Sequence, residues 1–138
     1  MKALHNFLLS AAVLCSAAAA QAGVIQVVDR DVPVETGSGQ PADLAAIQEA
    51  IIQGGKSKAW NIVPAADGKV LRGTLTWNRN KHSITVDIEP GPTQITLRYV
   101  DSIRMKYAIR EGQPTIHDIY NRQIEELSTA IRAELKKL

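Results

Sequence analysis

The sequence predicts an α+β fold, a two-layer sandwich in which a helix, a four-stranded antiparallel meander and a long C-terminal helix follow in order, with both helices on one sheet face. Three observations predict it. Four short runs over residues 60–99 alternate apolar and polar side chains with period 2, separated by turn residues. Leu44, Ile47 and Ile51 recur at helical spacing before them, with Ile52 widening the stripe. Ile116, Tyr120, Ile124, Leu127, Ile131, Leu135 and Leu138 recur the same way after them. A sheet with one apolar face and two amphipathic helices buries most apolar surface when the helices cover that face.

Residues 1–22 read as an export leader. Lys2 supplies a positive start, and the apolar run at 7–20 suits a leader core but is too short to span a bilayer. Ala20-Gln21-Ala22 fits a cleavage site, so the cut is expected after Ala22, leaving a periplasmic or secreted protein. Leu14 stands before Cys15, where a lipid-attachment cysteine follows a small residue; the sequence argues against a lipid anchor there. The division is then 1–22 signal peptide, 23–40 extended arm or extra strand, and 41–138 a single α+β domain.

Removing 22 of the 138 residues leaves 116, enough for one hydrophobic core. Cys15 is the only cysteine, so the mature chain has neither disulfide nor thiol chemistry. Without Lys2, 15 basic residues face 14 acidic ones, and no global field attracts nucleic acid. No later apolar run is long enough to cross a membrane.

The elements follow in order. Residues 24–34, rich in valine, form an arm or a strand, set along the extension that follows Tyr99 through Ile103 to Tyr107. Pro41 opens the first helix with its fixed φ, Asp43 favours the positive end of the dipole, and Gly54-Gly55 ends it. Asp67-Gly68 and Arg79-Asn80 mark tight turns, and Pro90-Gly91-Pro92-Thr93 a looser one. With those loops the hairpins align Trp60, Leu75, Ile84 and Tyr99 in one row, Ile62, Gly73, Val86 and Leu97 in the next, and Pro64, Leu71, Ile88 and Ile95 in a third. Arg72 and Asp87 become neighbours on the opposite, solvated face. Thr115-Ile116-His117-Asp118 has the form of a capping box for the last helix.

The same register puts Lys58, Trp77, His82 and Asp101 in a fourth row at the sheet end. A carboxylate beside an imidazole fixes its tautomer and favours its charged form, so His82 and Asp101, with His117, are the candidate catalytic residues. Arg98, Arg104 and Lys106 share the outer face by parity and form a candidate basic docking strip, which Arg110 extends. The two mature histidines stand on different elements, with no ligand spacing that suggests a metal. No nucleotide, metalloprotease or serine-hydrolase motif occurs, and no cofactor is expected.

Ala59-Trp60, Arg72-Gly73-Thr74-Leu75, Tyr99-Val100-Asp101-Ser102, Tyr107, Ile116-His117 and Tyr120-Asn121 together resemble an uncharacterised family of small secreted or lipoprotein-type proteins of Gram-negative bacteria, over residues 32–138. Gln123 stands where the resemblance leads one to expect a tryptophan. The resemblance implies no catalytic residue. Its polar marks, Asp101, Ser102, His117, Tyr120 and Asn121, form a candidate binding cluster where the sheet end meets the last helix. The expected function is a non-catalytic periplasmic or cell-envelope module binding an unidentified envelope protein or ligand. The alternatives are a small periplasmic enzyme with a His/Asp acid–base pair and a structural accessory of an envelope complex.

Overall fold

The computed structural model describes residues 23–138. The leader, its cleavage site and Cys15 lie outside the described residues. The chain forms strands β1 (Val24–Gln26) and β2 (Arg30–Pro33), helix α1 (Leu44–Ser57), then β3 (Asn61–Pro64), β4 (Leu71–Trp77), β5 (His82–Pro90) and β6 (Gln94–Ile103). Strands β7 (Ala108–Arg110) and β8 (Gln113–His117) and helix α2 (Ile119–Leu135) complete it. The fold is mixed α+β with two antiparallel sheets, one of five strands in the order β2-β6-β5-β4-β3 and one of three in the order β1-β8-β7.

The arm at 24–34 is two strands, and neither lies along the extension from Ile103 to Tyr107. β2 pairs with the start of β6, Val32 opposite Ile95, and β1 pairs with β8, Val24 opposite His117. Val32 explains the first pairing: it is fully buried, so the arm joins the core rather than hanging from it.

At β3–β4 and β4–β5 the pairs are those read from the turns: Ile62 opposite Gly73, Gly73 opposite Val86, Leu75 opposite Ile84 and Trp77 opposite His82. Asp67 Oδ1 accepts from the backbone N–H of Lys69 at 2.9 Å and of Val70 at 3.2 Å. Those two donors hold its carboxyl below the usual carboxylate range. The next turn takes Asn78, Arg79 and Asn80 through positive φ, a region asparagine tolerates better than most residues.

The third hairpin differs. It closes two residues tighter than the loop composition suggests, so Val86 faces Tyr99 and Ile88 faces Leu97. Gly91 permits this closure, since a Cβ there would stand 2.7 Å from the Gln94 carbonyl oxygen. A two-residue slip preserves the face, because the side-chain period is 2. The register then shifts once more between Thr85 and Val86, where Val100 is the extra residue of a β-bulge. Beyond it Asp101 faces Thr85 and Ser102 faces Ile84.

Helix α1 begins at Leu44, not Pro41: Asp43 is its N-cap, its Oδ1 accepting from the Ala46 N–H at 2.7 Å. Gly54-Gly55 does not end it. Both glycines are buried inside the helix, and a Cβ on Gly54 would stand 2.9 Å from the Ile131 backbone. Glycine lets the two helix backbones approach there, at a cost of about 1 kcal/mol in helix propensity relative to alanine. Helix α2 begins at Ile119, after β8. Asp118 sits at its N-cap without a side-chain cap bond, and the Thr115 hydroxyl donates to the Ala108 carbonyl. Thr115, Ile116 and His117 are strand residues instead, because β1 and β7 flank β8 and hold residues 113–117 extended. Ile47 and Ile51 of α1 and Ile124, Leu127, Ile131 and Leu135 of α2 join Val32, Ile84, Val86, Ile88, Ile95 and Leu97 in one buried core. Leu44 and Leu138, at the ends of the stripes, are exposed.

Candidate functional site

The bulge at Val100 separates the residues expected to act together. His82 and Asp101 are not cross-strand neighbours: the partner of His82 is Trp77, and Asp101 is exposed opposite Thr85 on the outer face. The same parity change breaks the basic strip. Arg98 lies before the bulge and is held by Asp29 at 3.1 Å and by Glu89. Arg104 lies after it and turns to the other side. The resemblance cluster also divides. The Ser102 hydroxyl meets the Tyr99 hydroxyl at 2.9 Å, and Tyr120 packs edge-on against Tyr99 with centroids 5.9 Å apart. Burial raises the Tyr120 phenol, and more weakly that of Tyr99, above the ordinary tyrosine range. Tyr107, half exposed, stacks on Tyr99 at 4.6 Å. Asn121 is exposed on α2 and joins neither group.

Both histidines of the described residues nevertheless line one cleft. Trp77, His82, Arg104, Met105, His117 and Ile119 enclose a volume of about 90 Å³. Each wall has a local cause. Trp77 and His82 are a cross-strand pair at the sheet end, their rings stacked with centroids 5.5 Å apart and planes 17° from parallel. Arg104 and Lys106 both adopt positive φ, 56° and 54°, so the chain leaving β6 kinks twice around Met105. Left-handed backbone costs about 1–2 kcal/mol per non-glycine residue, which the burial of Met105, 3% exposed, offsets. The Met105 carbonyl accepts from the His117 N–H at 2.8 Å, and the Asp118 N–H donates to the Gly23 carbonyl at 2.8 Å. These bonds and the β1–β8 ladder carry His117 from a helix start to the cleft wall.

The hydrogen bonds of the two rings define their donors. The Asn78 side-chain amide lies 3.4 Å from His82 Nδ1; an amide nitrogen only donates, so His82 carries its proton on Nε2. The Ile119 N–H donates to His117 Nδ1 at 3.2 Å, and Asp118 Oδ1 lies 2.9 Å from that same nitrogen. One ring nitrogen cannot accept from Ile119 and donate to Asp118 together. Accepting from Ile119 leaves the neutral form in which Nε2–H donates; donating to Asp118 leaves Nε2 an acceptor in the neutral ring and a donor in the imidazolium. Among the described residues no hydrogen bond occupies either Nε2, and Arg104 has no ion-pair or hydrogen-bond partner.

No carboxylate lines the cleft. A larger cavity, about 710 Å³, lies between residues 34–42, the β5–β6 loop and the end of α2. Its charged residues, Glu35 and Lys136, pair with each other at 3.3 Å, so it holds no uncommitted charge. The chemistry is in the smaller cleft. Among the described residues no group of three or more His, Cys, Asp and Glu side chains is placed to hold a metal ion, and no helix is long and apolar enough to cross a membrane. Comparison with known proteins finds no family model, curated protein or solved structure that matches the chain.

Sequence reasoning paired Trp77 with His82 and named His117 beside them, but joined the histidines to Asp101 rather than to Arg104. It missed Met105 and Ile119 as walls and placed Arg104 on the wrong face. The signal that bears on Arg104 is the bulge, and nothing in Val100-Asp101-Ser102 marks which residue is the extra one.

Proposed function

We propose that this chain is a non-catalytic binding or interaction module of the cell envelope, exported by the leader at 1–22 and acting in the periplasm or outside the cell after cleavage near Ala22. The observation that carries the binding reading is the composition of the cleft. Two imidazoles, a guanidinium and an aromatic wall meet there, while Asp101, the carboxylate an acid–base pair would use, stands across the sheet. Donors on an aromatic wall suit recognition of a ligand. The Ala20-Gln21-Ala22 site and the resemblance to small exported proteins of Gram-negative bacteria support the location. The reading takes both helices to cover the apolar face of the five-stranded sheet, leaving the Arg72, Thr74, Thr85 and Asp87 face open to water.

The contact of Asp118 with His117 Nδ1 at 2.9 Å favours one alternative, an enzyme in which that carboxylate orients the imidazole. One experiment separates the two. Amide NMR spectra of the purified protein are recorded with soluble muropeptides, lipopolysaccharide core sugars and phospholipid head groups. The binding reading predicts shifts at Trp77, His82 and His117 with the compound recovered intact. Turnover of any compound, lost in His117→Ala, would establish the enzyme instead.

A further inference from the structure

We infer that the cleft between Trp77, His82, Arg104 and His117 takes a single oxyanionic group, a carboxylate or a phosphate, carried on an apolar or aromatic body. This rests on the binding reading above and names its ligand class. Three features converge on it. The wall offers the Arg104 guanidinium and the His82 Nε2–H as donors, joined by His117 Nε2–H when its Nδ1 accepts from Ile119, with no carboxylate lining the volume. An oxyanion satisfies several such donors at once through charge-assisted bonds. The size fits. About 90 Å³ equals roughly three waters at about 30 Å³ each. That is room for one carboxylate or phosphate group, with the remainder of the ligand at the open mouth. Trp77 and Ile119, both partly exposed, offer it an apolar wall.

The test uses the purified protein, calorimetry and amide NMR, with four probes: phenyl phosphate, inorganic phosphate, benzenesulfonate and the neutral benzyl alcohol. Phenyl phosphate is expected to bind most tightly, inorganic phosphate more weakly, and benzyl alcohol not measurably, with shifts centred on Trp77, His82 and His117. Arg104→Gln should weaken phenyl phosphate at least about tenfold, the loss of one charge-assisted hydrogen bond, while Arg104→Lys retains part of the affinity. Benzenesulfonate keeps its charge at every working pH. It should shift the same residues, and Arg104→Gln should weaken it as well. Benzyl alcohol binding at the cleft as well as phenyl phosphate, or Arg104→Gln leaving the affinity unchanged in a folded protein, overturns the ligand class and leaves the binding module standing. No shift at the cleft with any probe up to its solubility overturns the inference. Phenyl phosphate hydrolysed by the protein but not by His117→Gln overturns the binding-module reading itself.

Discussion

Replacing Gly54 by alanine tests how the two helices meet. In an exposed helix this change stabilises by about 1 kcal/mol, because alanine is the better helix former. Here the new Cβ would stand 2.9 Å from the Ile131 Cα and N and 3.0 Å from the Ala130 carbonyl carbon. Those are backbone atoms, and they move only if α2 moves. Overpacking of this kind costs about 1–3 kcal/mol, and rigid backbone neighbours put it at the upper end. The net expectation is a loss of about 2 kcal/mol, or a fall in Tm of about 5–12 °C for a domain of this size. Gly55 is the control. Its added Cβ would meet Ile62 Cδ1 at 2.1 Å and Cγ1 at 2.9 Å, atoms of a side chain that can turn away, so Gly55→Ala should lower Tm less. Thermal unfolding followed by circular dichroism at the helix band reads both. If Gly54→Ala matches or raises the wild-type Tm, the helices do not touch backbone to backbone at this point.

Three further outcomes follow from the same packing. Trp60 is buried with its Nε1 unpartnered among the described residues, so Trp60→Phe removes a desolvated donor worth about 1–3 kcal/mol against the lost apolar area; denaturant unfolding should find it within about 1 kcal/mol of wild type, and a loss beyond about 3 kcal/mol, the usual aromatic-to-alanine range, would show that the indole N–H is bonded. Burial raises the Tyr120 phenol, so above the ordinary value of about 10 the native state holds more protons than the unfolded one. Stability from this group is complete below that pH and falls as pH rises past it; Tm measured on the alkaline side should decline, and Tyr120→Phe should shallow the decline, whereas an unchanged slope would place the loss elsewhere. Deleting Val100 removes the bulge yet leaves Tyr99 opposite Val86, Asp101 opposite Thr85 and Ser102 opposite Ile84, so the variant should unfold cooperatively with Tm close to wild type; collapse of the fold would mean that Val100 belongs to a continuous ladder.

The parts of the fold legible in the sequence are those whose cause is local. Asp67-Gly68 and Arg79-Asn80 each centre a short turn, and a turn centre fixes every pair beyond it, which is why Trp77 and His82 could be paired from the sequence. The Pro90–Thr93 loop can close at two spacings that keep the same face inward, so alternation alone does not choose between them. A one-residue bulge leaves even less trace: Val100 is exposed and ordinary, yet it moves Asp101 from the side of His82 to the opposite face. Gly54-Gly55 has the composition of a helix end and serves as a helix contact, because only the position of α2 distinguishes the two. Residues 115–118 have the pattern of a cap, yet 115–117 become strand through β1, whose residues lie about ninety positions earlier in the chain. The cleft depends on the bulge and on the β1–β8 pairing, so Trp77 and His82 were visible as a pair and the rest of the wall was not.

His82, His117 and Met105 line one cleft. A nuclear Overhauser spectrum with the Met105 methyl labelled reads it directly. Cross-peaks from that methyl to the ring protons of Trp77, His82 and His117 are the expected result. Cross-peaks from the His82 ring to the Asp101 Cβ protons, with none from either imidazole to Met105, would contradict it.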